Sequence, residues 1–566
     1  AFVGYGKVAE VLRERPMRRP FRCEALVLFF SVSHAYTPPI FGPTITPHRA
    51  PTSAVRMTEE VDWREMRARL MAQAAAEGGA TTPTKEDGGY VYESPLIEQG
   101  TVLLGGTKQN FGFALRQQFF HKCVLLLLEH DEQFTKGIIL NRPSALEMDG
   151  WRLWCGHGQV AEGGLFVGED AKMGELEINC LHSLEGLVAD KLSKRVIKGV
   201  SYTSLQGAKM MVQAGVAKQS DFYVCVGYSG WAPGQLQMEV DKRDSWYLAS
   251  ADSGTLLKEL LKQSEELPPT SYYSSMPGAP SNVDDLLGVE TWESLMEGIG
   301  RSEDVASSKG GLDDRMLSEW IRVHLLPRAS TPETPSTLPQ SVSVGTVLCT
   351  KAAPTTGRAS DRFLLRDQYL HKAIILIIEQ READGKWVGC VLNRPTATVV
   401  EFNTPGKPRR RLPFCGDRRI RAADGGGQLW LTYKDGPDVE SRGTEIGDSG
   451  LYQLPSEDVM SMLQEEEMEA SDLLVVGGAV EFGRAELIGM LTAGEMSVVP
   501  SGGSLNELWP RVWSLTDLEG AEDEPSDGTD AWYIASQCGA SSLTAPAPSG
   551  IADEALSEWL KFFARS

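Results

Sequence analysis

Apolar positions along this chain gather in short blocks set off by glycine and proline. The longest block, His121-Lys-Cys-Val-Leu-Leu-Leu-Leu-Glu129, has no polar alternation, which predicts a central strand covered on both faces. Gly100 to Leu104 and Gly137 to Pro143 predict strands on either side of it in sequence. Val196 to Tyr202, Phe222 to Gly227 and Ser245 to Ser250 predict further strands. Leu205 to Ala214 has helical spacing, with Gly215 as a C-cap, and Leu181 to Leu187 reads as a short helix or loop. Ahead of these, Trp63, Met66 and Leu70 share one face of a helix expected from Thr58. Helical and strand signals interleave, so the fold class is mixed α/β (α+β).

The pattern then returns in the same order. Gly345-Thr-Val-Leu348 answers Gly100-Thr-Val-Leu103, and Tyr369 to Glu379 answers Phe119 to Glu129. Val391 to Ala397 answers Ile139 to Ala145, with Asn-Arg-Pro in both, and Cys415-Gly416 answers Cys155-Gly156. Ser471 to Gly477 answers Ser220 to Val226, and Ala531 to Ser536 is matched to the Trp-bearing strand Ser245 to Ser250. Leu317-Ser-Glu-Trp320 and Leu556-Ser-Glu-Trp559 end the two series. Conserved order of so many blocks predicts an internal duplication. The expected divisions are a leader at 1–57, a helix and loop at 58–89, a first domain at 90–262 and a linker with two helices at 263–343. A second, diverged domain at 344–540 and a C-terminal helix at 541–566 complete them.

Charge narrows the function classes. The 566 residues carry a formal net charge of -22, a field that repels nucleic acid and anionic membranes. Residues 1–57 hold 8 of the 55 Lys and Arg but 3 of the 77 Asp and Glu, so the remainder is more acidic still. In that leader, arginines precede the apolar run Ala25 to Val32, Ser33-His-Ala35 resembles a cleavage site, and residues 36–57 hold no acid. Signal-like followed by transit-like sequence is the arrangement expected for a plastid enclosed by extra membranes. No other segment approaches a membrane-spanning length. The nine cysteines form no Cys-x-x-Cys pair, and several lie in apolar runs, which reads as buried free thiols.

Few polar motifs invite chemistry. Asn141-Arg142-Pro143 and Asn393-Arg394-Pro395 are kept in both series. The arginine fork suits a carboxylate or phosphate, and it equally suits a turn pinned by an Arg–carboxylate pair. His121-Lys122 and His371-Lys372 open the strongest strands, with no carboxylate at recognisable spacing, so a histidine bonded to backbone is expected. Gly227-Tyr-Ser-Gly-Trp-Ala-Pro-Gly-Gln235 offers glycines for close approach and the flat face of Trp231. It is not a Gly-x-Ser-x-Gly elbow, a dinucleotide fingerprint or a phosphate loop. It reads as a ligand or partner surface, or as a wide structural turn with Trp231 plugging the core. At a constant offset of 251 the second series places Phe482 opposite Trp231 and Glu486 opposite Gln235, so the loop motif is lost there. Cys155-Gly-His-Gly158 has no histidine in its counterpart. The basic run Lys407 to Arg411 reads as an exposed loop.

The Asn-Arg-Pro turn, the Cys-Gly loop behind it, and Gly-x-x-Gly-Trp-x-Pro-Gly-Gln-Leu before a Trp strand together resemble the AlgH-like family. The resemblance covers about 97–255 well and about 343–540 more weakly. It implies a strongly bent sheet flanked by helices in each copy, and similarity to algal and plant plastid members. Bacterial members carry the label of transcriptional regulators, and no enzyme activity is established for the family. The expected function is a non-enzymatic interaction or regulatory protein in the plastid, with a protein partner and the two copies packed as a pseudo-dimer. The alternatives are a small-ligand binder or undescribed enzyme using a first-copy cleft, and a DNA-contacting regulator on the family label alone. The candidate ligand or partner surface is Asn141, Arg142, Gly227, Gly230, Trp231, Gly234 and Gln235. No catalytic residue, cofactor or metal ligand is assigned.

Overall fold

The structure, a computed structural model, describes residues 63–78, 89–107, 115, 117–156, 177–243, 245–257, 288–325, 342–351, 361–402, 404, 406–420, 427–518, 526–538 and 550–564. The leader expectation, residues 1–57, lies outside them, as do all of residues 263–287.

The first half runs α1 (Trp63–Gly78), β1 (Val91–Glu93), β2 (Val102–Gly105), β3 (Val124–His130), β4 (Thr135–Ile139), β5 (Pro143–Met148), β6 (Trp151–Cys155) and β7 (Ile178–His182). It continues α2 (Leu187–Leu192), β8 (Lys194–Ile197), β9 (Val200–Ser204), α3 (Leu205–Gln213), β10 (Tyr223–Val226), β11 (Ser229–Trp231), α4 (Gln235–Arg243) and β12 (Trp246–Ala251). Three helices close it: α5 (Val289–Gly298), α6 (Ser302–Ser307) and α7 (Leu312–His324). The strands form two six-stranded sheets, ordered β1-β12-β2-β3-β4-β11 and β5-β6-β10-β7-β9-β8. As the apolar run predicts, β3 is central, with Val124 to Leu128 all buried.

The second half is β13 (Val347–Thr350), α8 (Asp361–Leu365), β14 (Ile374–Arg381), β15 (Lys386–Val391), β16 (Pro395–Glu401), β17 (Arg409–Pro413), β18 (Arg418–Arg419) and β19 (Leu429–Thr432). Next come α9 (Pro437–Arg442), β20 (Thr444–Glu445), β21 (Tyr452–Leu454), α10 (Ser456–Gln464), β22 (Leu474–Val476), β23 (Gly478–Phe482), α11 (Arg484–Thr492) and β24 (Met496–Val498). The chain ends in α12 (Gly503–Ser514), α13 (Thr529–Gln537) and α14 (Ile551–Trp559). The run β24-β13-β14-β15-β23 repeats β12-β2-β3-β4-β11, and β20-β21-β19-β22 repeats β8-β9-β7-β10. Even irregularities recur. The pairing of β3 with β4 slips between Leu127 and Glu129, and that of β14 with β15 between Ile377 and Glu379.

Register corrects one match made from sequence. Ala531 to Ser536 lies in helix α13 and does not answer the Trp strand. The strand equivalent to β12 is β24, where Met496 faces Thr350 as Trp246 faces Gly105. Trp532 instead matches Trp292 of α5: their Nε1 atoms donate to Thr350 O at 2.6 Å and Gly105 O at 2.9 Å. Alanine-rich and tryptophan-bearing, the segment fits either state locally, and tertiary placement decides between them.

The expected linker is also more than a connection. Its described residues carry three helices, where two were expected, and α5 buries Trp292, Leu295 and Met296 in the first-half core. Within the basic run, Arg409 to Arg411 lie in strand β17 rather than in a loop, while Lys407 stays in an exposed turn with left-handed φ. Arg410 is buried and donates to Trp513 O and Thr516 Oγ1 at 3.1 and 2.7 Å, besides pairing with Asp517. Among the described residues, no helix is long and apolar enough to cross a membrane.

Candidate functional site

The turn between β4 and β5 is an internal junction. The Val124 N–H donates to Asn141 Oδ1 at 2.7 Å, and Asn141 Nδ2 donates to Lys122 O at 2.9 Å and Gly288 O at 2.7 Å. The second half repeats it: the Ile374 N–H donates to Asn393 Oδ1 at 2.8 Å, and Asn393 Nδ2 donates to Lys372 O and Gly528 O at 3.0 and 2.9 Å. Gly288 and Gly528 both have left-handed φ, and a Cβ at either would collide with the Asn carbonyl. One side chain thus ties a strand, a turn and the start of a distant helix.

The adjacent arginines are also turned inward. Arg142 Nη1 donates to Asn141 O at 2.8 Å and Nη2 to His121 O. Arg394 donates to Tyr369 O at 3.1 Å, Asn393 O at 3.0 Å, Asp527 O at 3.2 Å and Lys372 O at 2.9 Å, and to His371 O. These bonds pin the turn through carbonyl oxygens, where a carboxylate was expected. Burial pulls both guanidinium pKa values down to about 10, so both remain charged at neutral pH.

The histidines have a carboxylate partner that spacing alone conceals. His121 Nε2 lies 2.8 Å from Asp314 Oδ1, and Lys122 Nζ lies 2.8 Å from the same oxygen. His371 Nε2 and Lys372 Nζ lie 2.9 and 2.7 Å from Asp553 Oδ1. Each aspartate sits in the first turn of its helix, α7 or α14, where negative charge also suits the helix dipole. Lys122 and Lys372 take left-handed φ of 48° and 53°. Their ammonium groups stand 5.6 and 5.4 Å from the rings of Trp292 and Trp532. A signal existed in the sequence: Asp314 and Asp553 each stand three residues before the shared Leu-Ser-Glu-Trp.

Trp231 is buried, and the Gly-Trp loop closes over a polar cluster absent from sequence reasoning. Glu239 Oε2 accepts from Trp231 Nε1 at 3.0 Å and Trp246 Nε1 at 2.9 Å, while Oε1 accepts from Gln235 Nε2 at 3.0 Å. Gln235 Oε1 caps the helix start by accepting from Ala232 N–H at 3.1 Å. Gly227 and Gly230 are half-buried, and of the candidate surface residues only Gly234 is fully exposed. Asn141, Arg142 and Trp231 therefore do not present an outward face, because their polar atoms are taken up inside. In the second half the cluster becomes Phe482, Met490 and Met496, all buried, while Glu486 keeps the capping role at Gly483 N–H.

A groove of about 390 Å³ does border the loop, lined by Ile97, His130, Thr135, Pro233, Leu236 and Gln237 among others. Neither Asn141, Arg142 nor His121 lines it. Cys123, Cys180, Cys349 and Cys415 have thiols pushed up to about 12 by burial. His157 and Gly158 lie outside the described residues. Among the described residues, no group of three or more His, Cys, Asp or Glu is placed to hold a metal ion.

With this geometry in view, the comparisons define the class. The AlgH-like family profile matches residues 112–267. A UPF0301 protein of Streptomyces avermitilis is 31% identical over 146 residues, covering 25% of this chain and 72% of the relative. A UPF0301 protein of Chlorobaculum tepidum is 30% identical over 164 residues, covering 28% and 79%. The solution structure of the AlgH protein from Pseudomonas aeruginosa matches at 18% identity and TM-score 0.22, covering 33% of this chain and 98% of that one. The chain belongs to the AlgH-like family.

Both carboxylates, partly buried Asp314 and buried Glu239, can be tested by substitution. Burial alone would raise the Asp314 pKa, but hydrogen bonds from His121 and Lys122 outweigh it and hold the carboxyl down to about 2. A depressed folded pKa stabilises above the unfolded value of about 3.9 and is lost as pH falls towards 2. Asp314→Asn should therefore lower unfolding free energy at pH 7 by about 2 kcal/mol, measured in urea. Its deficit relative to wild type should shrink between pH 4 and pH 2. Separately, Glu239→Ala leaves two indole N–H groups unsatisfied and should cost about 2–4 kcal/mol. The triple change Trp231→Phe, Glu239→Met, Trp246→Met copies the second half and should recover part of that loss.

Proposed function

We propose that this protein is a non-enzymatic interaction module of the plastid, in which two AlgH-like copies pair within one chain as a pseudo-dimer. One observation carries the pairing. Gln118 Nε2 donates to Leu365 O at 2.9 Å, and Gln368 Nε2 donates to Leu115 O, a reciprocal exchange between equivalent residues. Such reciprocity is the mark of a two-fold interface. One apolar cluster runs through the seam, joining Phe119, Trp320 and Met316 to Tyr369, Leu365 and Trp559.

The polar residues kept in both halves support a scaffold reading, since their hydrogen bonds hold each tail helix to its domain. A small-ligand reading draws on the groove beside Pro233, whose size falls in the range of ligand sites. The net charge of -22 opposes the DNA-contact reading.

The exposed part of the first-copy loop, Ala232 to Gly234 with Gln237, is the surface offered to a partner. A photo-crosslinking residue at position 233, used in plastid extract, should give a discrete protein adduct. Gln237→Arg should weaken that adduct at least about fivefold. An adduct indifferent to position 237, or none, would remove this surface. Residues 1–57 fused to a fluorescent protein should direct it to the plastid, and cytosolic fluorescence would refute the location.

A further inference from the structure

The seam contains one residue pair that breaks its own symmetry. Asp314 and Asp553 occupy the same place against His121-Lys122 and His371-Lys372, and Trp320 and Trp559, six residues on, pack on Phe119 and Tyr369 with ring centroids 5.7 and 5.5 Å apart. The residues that follow the two aspartates, Arg315 and Glu554, are therefore equivalent, and they are each other's partner. Arg315 Nη1 donates to Glu554 Oε1 at 2.9 Å, and Nη2 donates to Oε2, a forked pair. A residue that meets its own counterpart lies on the two-fold axis, in keeping with the reciprocal glutamine bonds on either side.

On the axis, identity decides which copies can pair. Two first copies would set guanidinium against guanidinium, and two second copies carboxylate against carboxylate. Only unlike copies form the fork. We infer that Arg315 and Glu554 are a pairing-selectivity element, which makes the docking face of the first copy accept a second copy and reject another first copy. The inference rests on the pseudo-dimer reading above. The neighbouring position points the same way: Asp313 of the first copy lies within electrostatic reach of Glu558, whereas its counterpart in α14 is the neutral Ala552. Pairing of two first copies would bring Asp313 near Glu319, the equivalent of Glu558, on both sides of the axis. Unlike pairing does so on one. Selectivity of this kind works mainly through repulsion in the wrong pair. Both axial side chains are about half exposed, so the effect should be moderate and sensitive to salt.

The test uses the full chain, with a site-specific protease sequence inserted within residues 326–341 and cut only after folding. Association of the two halves is read by sedimentation, with urea added to the level that leaves the wild-type halves half associated. Arg315→Glu reproduces the axis of two second copies, and Glu554→Arg that of two first copies. Each should weaken association about tenfold at low salt, and the exchanged double variant should return to within about threefold of wild type. In 1 M salt the differences should largely vanish. Single reversals without effect, or a double variant as weak as the singles, would overturn the selectivity while leaving the pseudo-dimer intact. Wild-type halves that separate on cutting, without urea, would overturn the pseudo-dimer itself.

Discussion

A partly buried carboxylate facing a buried histidine and a lysine is the contact on which the rest of each half depends. Taking charge out of water is costly unless it is paired and hydrogen-bonded. Asp314 satisfies this against His121 and Lys122, and Asp553 against His371 and Lys372. The requirement propagates outward. Lys122 takes a left-handed backbone at the turn that opens β3, and Asn141 then binds the Lys122 carbonyl and the start of α5 at Gly288. The aspartate holds the first turn of α7, whose far side forms the seam. The aromatic stack, the reciprocal glutamine bonds and the axial Arg315–Glu554 pair are all arranged by where that helix begins.

The two halves differ where a polar group must be wholly satisfied or wholly removed. In the first, two indole N–H groups and an amide converge on Glu239. In the second, Phe482, Met490 and Met496 fill equivalent positions. A half-converted cluster would leave a buried donor or carboxylate unpaired, which explains a change of three residues together. The capping bond survives separately, through Gln235 in one half and Glu486 in the other, because a helix start needs an acceptor whatever lies beneath it.

Much of the architecture was legible beforehand. Continuous apolar runs marked β3 and β14 as central strands, since only a strand covered on both faces tolerates them. Repeated Asn-Arg-Pro marked a turn of strict geometry, left open between an outward binding surface and a pinned turn; both side chains point inward, and the arginines are held by carbonyl oxygens rather than a carboxylate. Ala531 to Ser536 shows how local pattern misleads. It shares its residue types with a strand, yet becomes a helix, because Trp532 must reach Thr350 O as Trp292 reaches Gly105 O.

The sequence by itself determined the central strands and the recurrence of the motifs, because hydrophobic periodicity and turn chemistry act over a few residues. Tertiary structure decided which residues meet. Asp314 is 193 residues from His121, and Arg315 is 239 from Glu554. Pairs so distant leave no periodicity, and only the packing of tail helices onto the sheets brings them together. For the same reason the sequence left Trp231 open between a partner surface and a plug of the core, and its burial beside Glu239 decided for the core.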